Sequence, residues 1–450
     1  MGYGAYPELK ETGTPWLGKV PAHWQVDRAK WAVTGCKNGV WGAEPDGEND
    51  IACVRVADFD RTKLTVGDEK LTNRAIAQSD REGRLLKSGD LLLEKSGGGE
   101  LQPVGAVVQF AHSWPAVTSN FVARMPIAPG MDSRFFAYAH AHLYTGRVNV
   151  RSIKQTTGIQ NLDSQQYLDE PIAYPPLTEQ QTIARFLDHK TAQIDALIAK
   201  KQALLQKLAE KRTALISHAV TKGLDPFAPM KDSGVDWLGP IPKHWDVKRL
   251  RFLVQMSGGM TPSTANSEYW NGDVPWVTPK DMKVEDISDS IDKLTQEALA
   301  KTAIQINDTG CVLIVVRGMI LAHSFPVAIN MLPVTINQDM KALSTSLDPC
   351  YLAILLRGIK NLILSVVEEA AHGTKVMRTD LFKNIHLPVP PLSEQEKVVT
   401  EVNRVVSEAD RMSSHVASAI ARLNEYRSAL ITAAVTGKID VRDVPIPEAA

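Results

Sequence analysis

The chain repeats itself. WLGKVPAHWQVDR starts at Trp16 and WLGPIPKHWDVKR at Trp237, 221 positions later. PPLTEQ and PPLSEQ, with leucines at Leu177 and Leu392, stand 215 apart. So do Leu215 and Leu430, within KRTALISHAVTKGLD and EYRSALITAAVTGKID. A duplication constrains the fold more than any single motif, because each copy must solve the same packing problem. The drop from 221 to 215 leaves the first copy six residues longer in its middle. The ends of the copies match well and the middles poorly. That pattern predicts one scaffold used twice, carrying two different working surfaces.

Each copy has two parts. In the first, DIACVRVADF, DLLLEKSGG, PVGAVVQF and NFVARMPI read as short strands bounded by Gly, Pro and Asp. DVPWVTPKDM, GCVLIVVRG, FPVAINM and NQDMKAL take the same places in the second copy, and SRFFAYAHAHLYTG and PCYLAILLRGIKNL read as helices. The expectation is an α+β fold: two pseudo-symmetric, strand-rich α/β domains separated by a pair of long helices. The second part of each copy is such a helix. Proline suits a position just before or at a first helical turn. Thr178 and Ser393 are the expected N-caps, with Glu179 and Glu394 favouring the positive helix end. No Pro or Gly interrupts Thr178 to Val220, which predicts a helix of roughly 65 Å. Gly223 and Gly437 follow as stops.

The apolar residues of these segments recur as heptads. The expected seam runs through Leu187, Ile194, Leu197, Leu204, Leu208 and Leu215 in the first copy, interrupted by Lys190, Lys201 and Lys211. In the second it includes Val402, Val405, Met412, Val416, Leu423 and Leu430. Such regularity predicts a coiled coil, and the simplest partner for each helix is the other, antiparallel. The expected division is domain one over 1–175, a helix over 176–222, domain two over 223–390, a helix over 391–437 and a tail over 438–450.

Composition narrows the function classes. Lys plus Arg number 50 against 51 Asp plus Glu, so any nucleic-acid surface must be local. Cys36, Cys53, Cys311 and Cys350 form no CxxC pair and suggest free buried thiols in a reducing compartment. The opening MGYGAYPELKETG lacks the features of a signal peptide, and Cys311–Val316 is too short an apolar run to span a bilayer. A cytoplasmic protein with no membrane contact is expected. There is no GxxxxGK[ST] loop, no Asn/Asp-Pro-Pro-Tyr loop and no HExxH, and the SGGG of Ser96–Gly99 lacks the spacing of a nucleotide loop. His23 and His244 precede Trp24 and Trp245, and packing of the tryptophans explains the HW pairs better than catalysis does.

WLG.(V/I)P.HW opening each half, PPL(T/S)EQ closing its variable domain and a long helix following, all twice over, resembles the specificity subunit of type I restriction-modification systems. The resemblance covers essentially the whole chain. It implies that each globular half is a target-recognition domain reading one half of a split site in double-stranded DNA. The helices would set the spacing and dock two methyltransferase subunits, with motor-nuclease subunits joining through them. It implies no catalysis and no cofactor on this chain, S-adenosylmethionine and ATP with Mg being held by the partners. A stand-alone DNA-binding regulator or a structural coiled-coil adaptor on the same scaffold are the rival readings.

DNA reading needs Arg and Lys on phosphates and Arg, Lys, Asn or Gln at base edges. Three paired loops supply them. After the DLLLEKSGG and GCVLIVVRG strands come Lys95, Ser96 and Arg317, beside Gly97 and Gly318. The turns around Gly158 and Gly373 carry Lys154, Gln155, Thr156, Thr157 and Gln160 in one copy, and Thr374, Lys375 and Arg378 in the other. Arg55 with Asp58 and Lys280 with Asp281 form the third pair. The near-zero net charge predicts weak DNA binding by this chain alone.

Overall fold

The computed structural model describes residues 3–156, 158–370 and 373–446. The chain divides into two compact units, Met1–Lys201 with Ser418–Ala450, and Gln202–Ala417. Four helices organise them: α1 (Ser133–Thr145), α2 (Leu177–Lys222), α3 (Pro349–Gly358) and α4 (Leu392–Val435). The division cuts through α2 and α4. Unit one therefore holds the start of α2 and the end of α4, and unit two the reverse.

In unit one, β1 (Asp50–Val54) lies between β4 (Ala116–Thr118), parallel to it, and Thr72–Ala75, antiparallel. In a six-stranded sheet, β2 (Leu91–Glu94) lies between Val107–Gln109 and β5 (Val122–Met125), antiparallel to both. A third sheet is built from β3 (Ser96–Gly97), β6 (Ile153–Thr156) and β7 (Ile159–Leu162), in the order β3-β7-β6. The core collects Trp24, Phe135, Phe136 and Tyr138 with Leu187 of α2 and Leu430 of α4.

Unit two repeats the plan. β8 (Trp270–Val277) pairs parallel with β10 (Thr335–Ile336) and antiparallel with Asp292–Leu294. A five-stranded sheet contains β9 (Val312–Val315) and β11 (Met340–Thr345), and β12 (Val367–Glu369) forms a hairpin with β13 (Lys375–Met377). Its core joins Val312, Leu313, Tyr351 and Leu355 to Val220 of α2 and Val402 of α4. The expected strands and helices of both copies thus form, and the α+β expectation holds.

Several expectations shift. Thr178 and Ser393 are not caps but lie inside the first turns, because the helices begin at Leu177 and Leu392. The carbonyls of Pro176 and Pro391 accept from Glu179 N and Glu394 N, both at 2.9 Å. The fixed φ of proline sets the helical direction two residues earlier than a hydroxyl cap would.

The seam of α2 is also displaced. Leu187 and Ile194 are buried and Leu208 half-buried, but Leu197, Leu204 and Leu215 are exposed. Ile198, Leu205 and Ile216 are half-buried instead. Adjacent apolar residues hide such a slip in the sequence, although one residue turns a side chain by about 100° around the axis. On α4, Val402 and Leu430 are buried and Val405, Val416 and Leu423 half-buried, whereas Met412 is exposed and Ser413 takes its place. Within unit one Arg427 Nε bonds Asp195 at 3.0 Å, and within unit two Arg212 Nε lies 3.8 Å from Asp410.

The expected tail is part of unit one. Asp440 N donates to Gly4 O at 2.7 Å, Val441 is fully buried and the Arg442 guanidinium lies 5.0 Å from the Tyr6 ring centre. All four cysteines are free, but only Cys53 and Cys311 are buried, Cys36 being half-buried and Cys350 exposed. Among the described residues no helix is long and apolar enough to cross a membrane.

Candidate functional site

The repeated motifs meet in space. Glu179 Oε1 accepts from the Tyr6 hydroxyl (2.7 Å) and Trp24 Nε1 (2.9 Å), and its Oε2 lies 2.8 Å from His23 Nε2. Glu394 Oε2 accepts from Trp245 Nε1 (3.0 Å) and lies 2.7 Å from His244 Nε2. The neighbouring glutamines complete the clasp. Gln180 bridges Pro175 O and Asp132 N, and Gln395 bridges Pro390 O and Asp348 N. Asp132 and Asp348 in turn cap α1 and α3. Each PPL(T/S)EQ therefore fixes a long helix to its own HW segment and to the cap of the preceding helix. This is scaffold chemistry, and it accounts for the HW pairs by packing and hydrogen bonding.

The same backbone bonds allow the working surfaces of the two units to be matched residue by residue. Ser119 N donates to Val54 O as Asn337 N does to Val277 O, at 2.9 and 3.1 Å. Lys95 N donates to Phe121 O as Val316 N does to Asp339 O, both at 2.8 Å. Val40 N bonds Thr118 O and Met260 N bonds Ile336 O. Gly39 and Gly259 permit that approach, for a Cβ would fall 1.7 Å from Thr118 O in one and 2.1 Å from Ile336 O in the other. On this frame Trp41 corresponds to Thr261, Arg55 to Thr278, Ser96 to Arg317, Asn120 to Gln338 and Phe121 to Asp339.

In unit one these five positions surround a cleft of about 550 Å³, with Glu94 at its floor. Two of the expected binding residues, Arg55 and Ser96, line it. The Arg55 guanidinium is held by Asp58, with Nη2 2.9 Å from Oδ1, and the Ser96 hydroxyl donates to Asn161 Oδ1 at 2.6 Å. Glu94 is almost fully buried and receives the Arg61 guanidinium on both oxygens at 2.9 Å. Burial pushes its carboxyl above the usual range, against the pull of Arg61. The Trp41 ring carries the Arg74 guanidinium 4.6 Å from its centre. Asn120, Phe121 and Trp41 are exposed and were not among the expected residues. Their signal was the run NGVWG, with an aromatic between two glycines, and a second aromatic in the SNF turn between strands.

The first and second expected loops form one surface. β3 pairs with β7, bringing Ser96 opposite Asn161 and Gly97 opposite Gln160. In unit two Arg317 bridges to Val376 and Gly318 N donates to Lys375 O. Gly158 and Gly373 both take left-handed φ, 84° and 77°, at equivalent hairpin turns. Lys95 and Lys154 line a second hollow, where Lys95 Nζ reaches Ser164 Oγ (3.1 Å) and Lys154 Nζ reaches Asp163 (2.7 Å).

Gln160 does not reach the surface. It is buried, and its Oε1 accepts from Val104 N at 3.2 Å, because alternation along β7 turns it inward. Thr157 lies outside the described residues, and Gln155 and Thr156 are described by their backbone alone. In unit two Lys375 Nζ pairs with Glu369 at 2.6 Å, and Arg378 is shared between Glu368 (3.0 Å) and Asp380 (2.9 Å), which raises its pKa. Thr374 is half-buried at the turn. Lys280 is exposed beside Asp281, whose carboxylate accepts from Thr278 N at 2.8 Å, as Asp58 does from Arg55 N at 2.7 Å. Arg317 is exposed, with Asp339 3.9 Å away. Among the described residues no cluster of His, Cys, Asp or Glu could hold a metal ion.

Comparison with known proteins places this arrangement. Residues 242–412 match the family described as the type I restriction modification DNA specificity domain. The MjaIX specificity subunit of Methanocaldococcus jannaschii is 31% identical over 36% of this chain and 38% of its own. The EcoR124I/EcoR124II specificity subunit of Escherichia coli is 27% identical over 56% of each. The chain thus spans between about two fifths and just over half of the length of these two relatives. Among solved structures, a chain from work on assembly and conformational transition of a type I R-M system has a TM-score of 0.71 at 14% identity, covering 92% of this chain and 98% of that one. The HsdS subunit from Thermoanaerobacter tengcongensis has a TM-score of 0.56 at 15% identity, covering 93% and 98%. The second half thus carries a match to the type I restriction modification DNA specificity domain, and nearly the whole chain shares the fold of these solved structures.

Proposed function

We propose that this chain is the DNA-reading subunit of a type I restriction-modification complex. Each unit reads one half of an asymmetric, two-part site in duplex DNA. The carrying observation is that five positions held by one backbone frame bear Trp, Arg, Ser, Asn and Phe in one unit and Thr, Thr, Arg, Gln and Asp in the other. Base edges are read by such side chains, and a different set reads a different word. The boundaries of the two readers follow the division at 1–175 and 223–390, with the helices over 176–222 and 391–437 between them.

The helix pair sets the distance between the readers and docks two methyltransferase subunits, through which motor-nuclease subunits join. The chain performs no catalysis. S-adenosylmethionine, ATP and Mg belong to the partner subunits, and the assembly works in the cytoplasm. Lys95, Lys154, Lys280, Lys375 and Arg378 serve phosphates, while Arg317 serves a base edge. With a formal net charge of −1, tight binding comes only with the partners.

Methylation-site sequencing in cells that express the chain with its methyltransferase tests the proposal. The expected pattern is two short words separated by a constant gap. Replacing Arg317, Gln338 and Asp339 should change one word and leave the other and the gap intact. Methylation without a two-part pattern, or both words changing together, would sink it.

A further inference from the structure

The unit-one cleft has a chemistry that the matched surface of unit two lacks. Most of its polar groups already have protein partners. Arg55 is held by Asp58, the Ser96 hydroxyl by Asn161 and the Glu94 carboxylate by Arg61. What it offers a ligand is two aromatic rings, Trp41 at 36% and Phe121 at 50% exposure, beside Val56 and Ala57. One exposed carboxamide, Asn120, stands next to Phe121. The Trp41 ring carries Arg74, whose guanidinium is itself tied to Glu44 at 2.5 Å. The cleft is therefore preorganised, largely apolar on its walls and equipped with one amide donor–acceptor pair beside the Asp58-held Arg55 guanidinium.

Of the base pairs, only A·T presents the complement of that set in the major groove. Thymine carries a C5 methyl group that seeks apolar contact, and adenine offers N7 and N6 to a bidentate Asn or Gln. A G·C pair has no methyl group and would leave the aromatic walls facing polar edges at a desolvation cost. From the reading of the chain as a DNA-recognition subunit, we infer that unit one recognises a thymine through its methyl group, packed against Phe121 and Trp41, with Asn120 on the paired adenine. In unit two the matching positions are Thr261, Asp339 and Gln338, and the Thr261 hydroxyl bonds the Gln338 amide oxygen. No aromatic ring stands at either wall position there.

The test uses the assembled complex with its methyltransferase subunits and duplexes of its mapped site. Each thymine is replaced in turn by deoxyuridine, which lacks only the methyl group. One position, in one half-site, should lose about fourfold in affinity, the scale of one buried methyl group. Phe121→Ala should bind the thymine duplex about as weakly as the native complex binds the deoxyuridine duplex, and should no longer tell the two apart. Asn120→Ala should lose discrimination at the same base pair, and 7-deazaadenine there should weaken the native complex but not this variant. Trp41→Leu, which keeps an apolar wall, should retain part of the methyl preference and guards against a folding defect in Phe121→Ala. Sequence-specific binding that is indifferent to every thymine methyl, or a methyl preference that survives Phe121→Ala, overturns this inference alone. Absence of any sequence preference in the native complex overturns the base-reading proposal as well.

Discussion

Glu179 and Glu394 hold the same partners in the two units, while Phe121 and Asp339, on equally matched backbone, share no chemistry. The scaffold positions agree because both copies must start a long helix against the same Trp and His. The cleft positions differ because nothing inside the protein requires them to agree. Even the clasps are not identical. Tyr6 is buried and donates to Glu179, while its counterpart Phe227, placed by the matching pairs Leu9–Pro21 and Met230–Pro242, is 91% exposed. In unit one Arg442 covers Tyr6. The first clasp thus has three donors on a buried carboxylate, and the second two on one that is a quarter exposed.

That inequality yields the largest expected effect. Glu179→Ala leaves Tyr6 and Trp24 without their buried acceptor and should destabilise unit one by about 3 kcal/mol, whereas Glu394→Ala should cost roughly half as much. Denaturant melts or local hydrogen exchange would show it, and equal costs would break the claim that the first clasp is tighter. A second contrast is in the helices that the clasps cap. His140 of α1 is fully buried beside Tyr167, and burial pushes its pKa down to about 4. By the caps Asp132 and Asp348, its counterpart in α3 is Leu356, also buried. The folded pKa lies below the unfolded value of about 6.5, so as pH falls through that range the unfolded chain gains a proton that the native one refuses. Unit one should lose up to about 3 kcal/mol between pH 6.5 and 4 for this group alone. His140→Leu should remove that loss, and acid melts in which both units fade together, with or without the histidine, would contradict it.

The exposed surface of unit two gives the smaller effects. Arg317→Ala should cost about 1–3 kcal/mol of binding and relax a single base position, which a binding-site selection would reveal. Lys375→Ala with Arg378→Ala should weaken binding on all sequences by less, roughly 1 kcal/mol, with a shallower salt dependence. Both side chains are already paired with carboxylates that a phosphate must displace. An unchanged salt slope would remove this hairpin from the interface.

The repeat, the strand and helix segments and, to within two residues, the helix starts were legible because each rests on local chemistry. A Pro-Pro pair sets a helix start whatever lies around it, and Gly158 and Gly373 mark turns by their own backbone freedom. The seam of α2 was only half legible, since apolar pairs such as Leu204–Leu205 leave a choice that only burial resolves. Ser96 and Arg317 stood out in the sequence beside Gly97 and Gly318, and Arg55 with Asp58. The inward turn of Gln160 did not, because one step along β7 decides whether a side chain faces out or in. Trp41, Asn120 and Phe121 were missed because they lie far apart from Arg55 and Ser96 along the chain and meet only across the sheets.

Duplication, helix starts and the demand for two unlike surfaces follow from residue order alone, because they depend on neighbours within a turn or on matching one stretch against another. Tertiary structure decided what the motifs do. It joined His23 and Trp24 to Glu179, 156 and 155 residues away. It made unit one from both ends of the described chain. It brought Trp41, Arg55, Ser96 and Phe121 to one cleft. Those are long-range contacts, set by how strands pair and how helices pack, and no local propensity encodes which distant residues a sheet brings side by side.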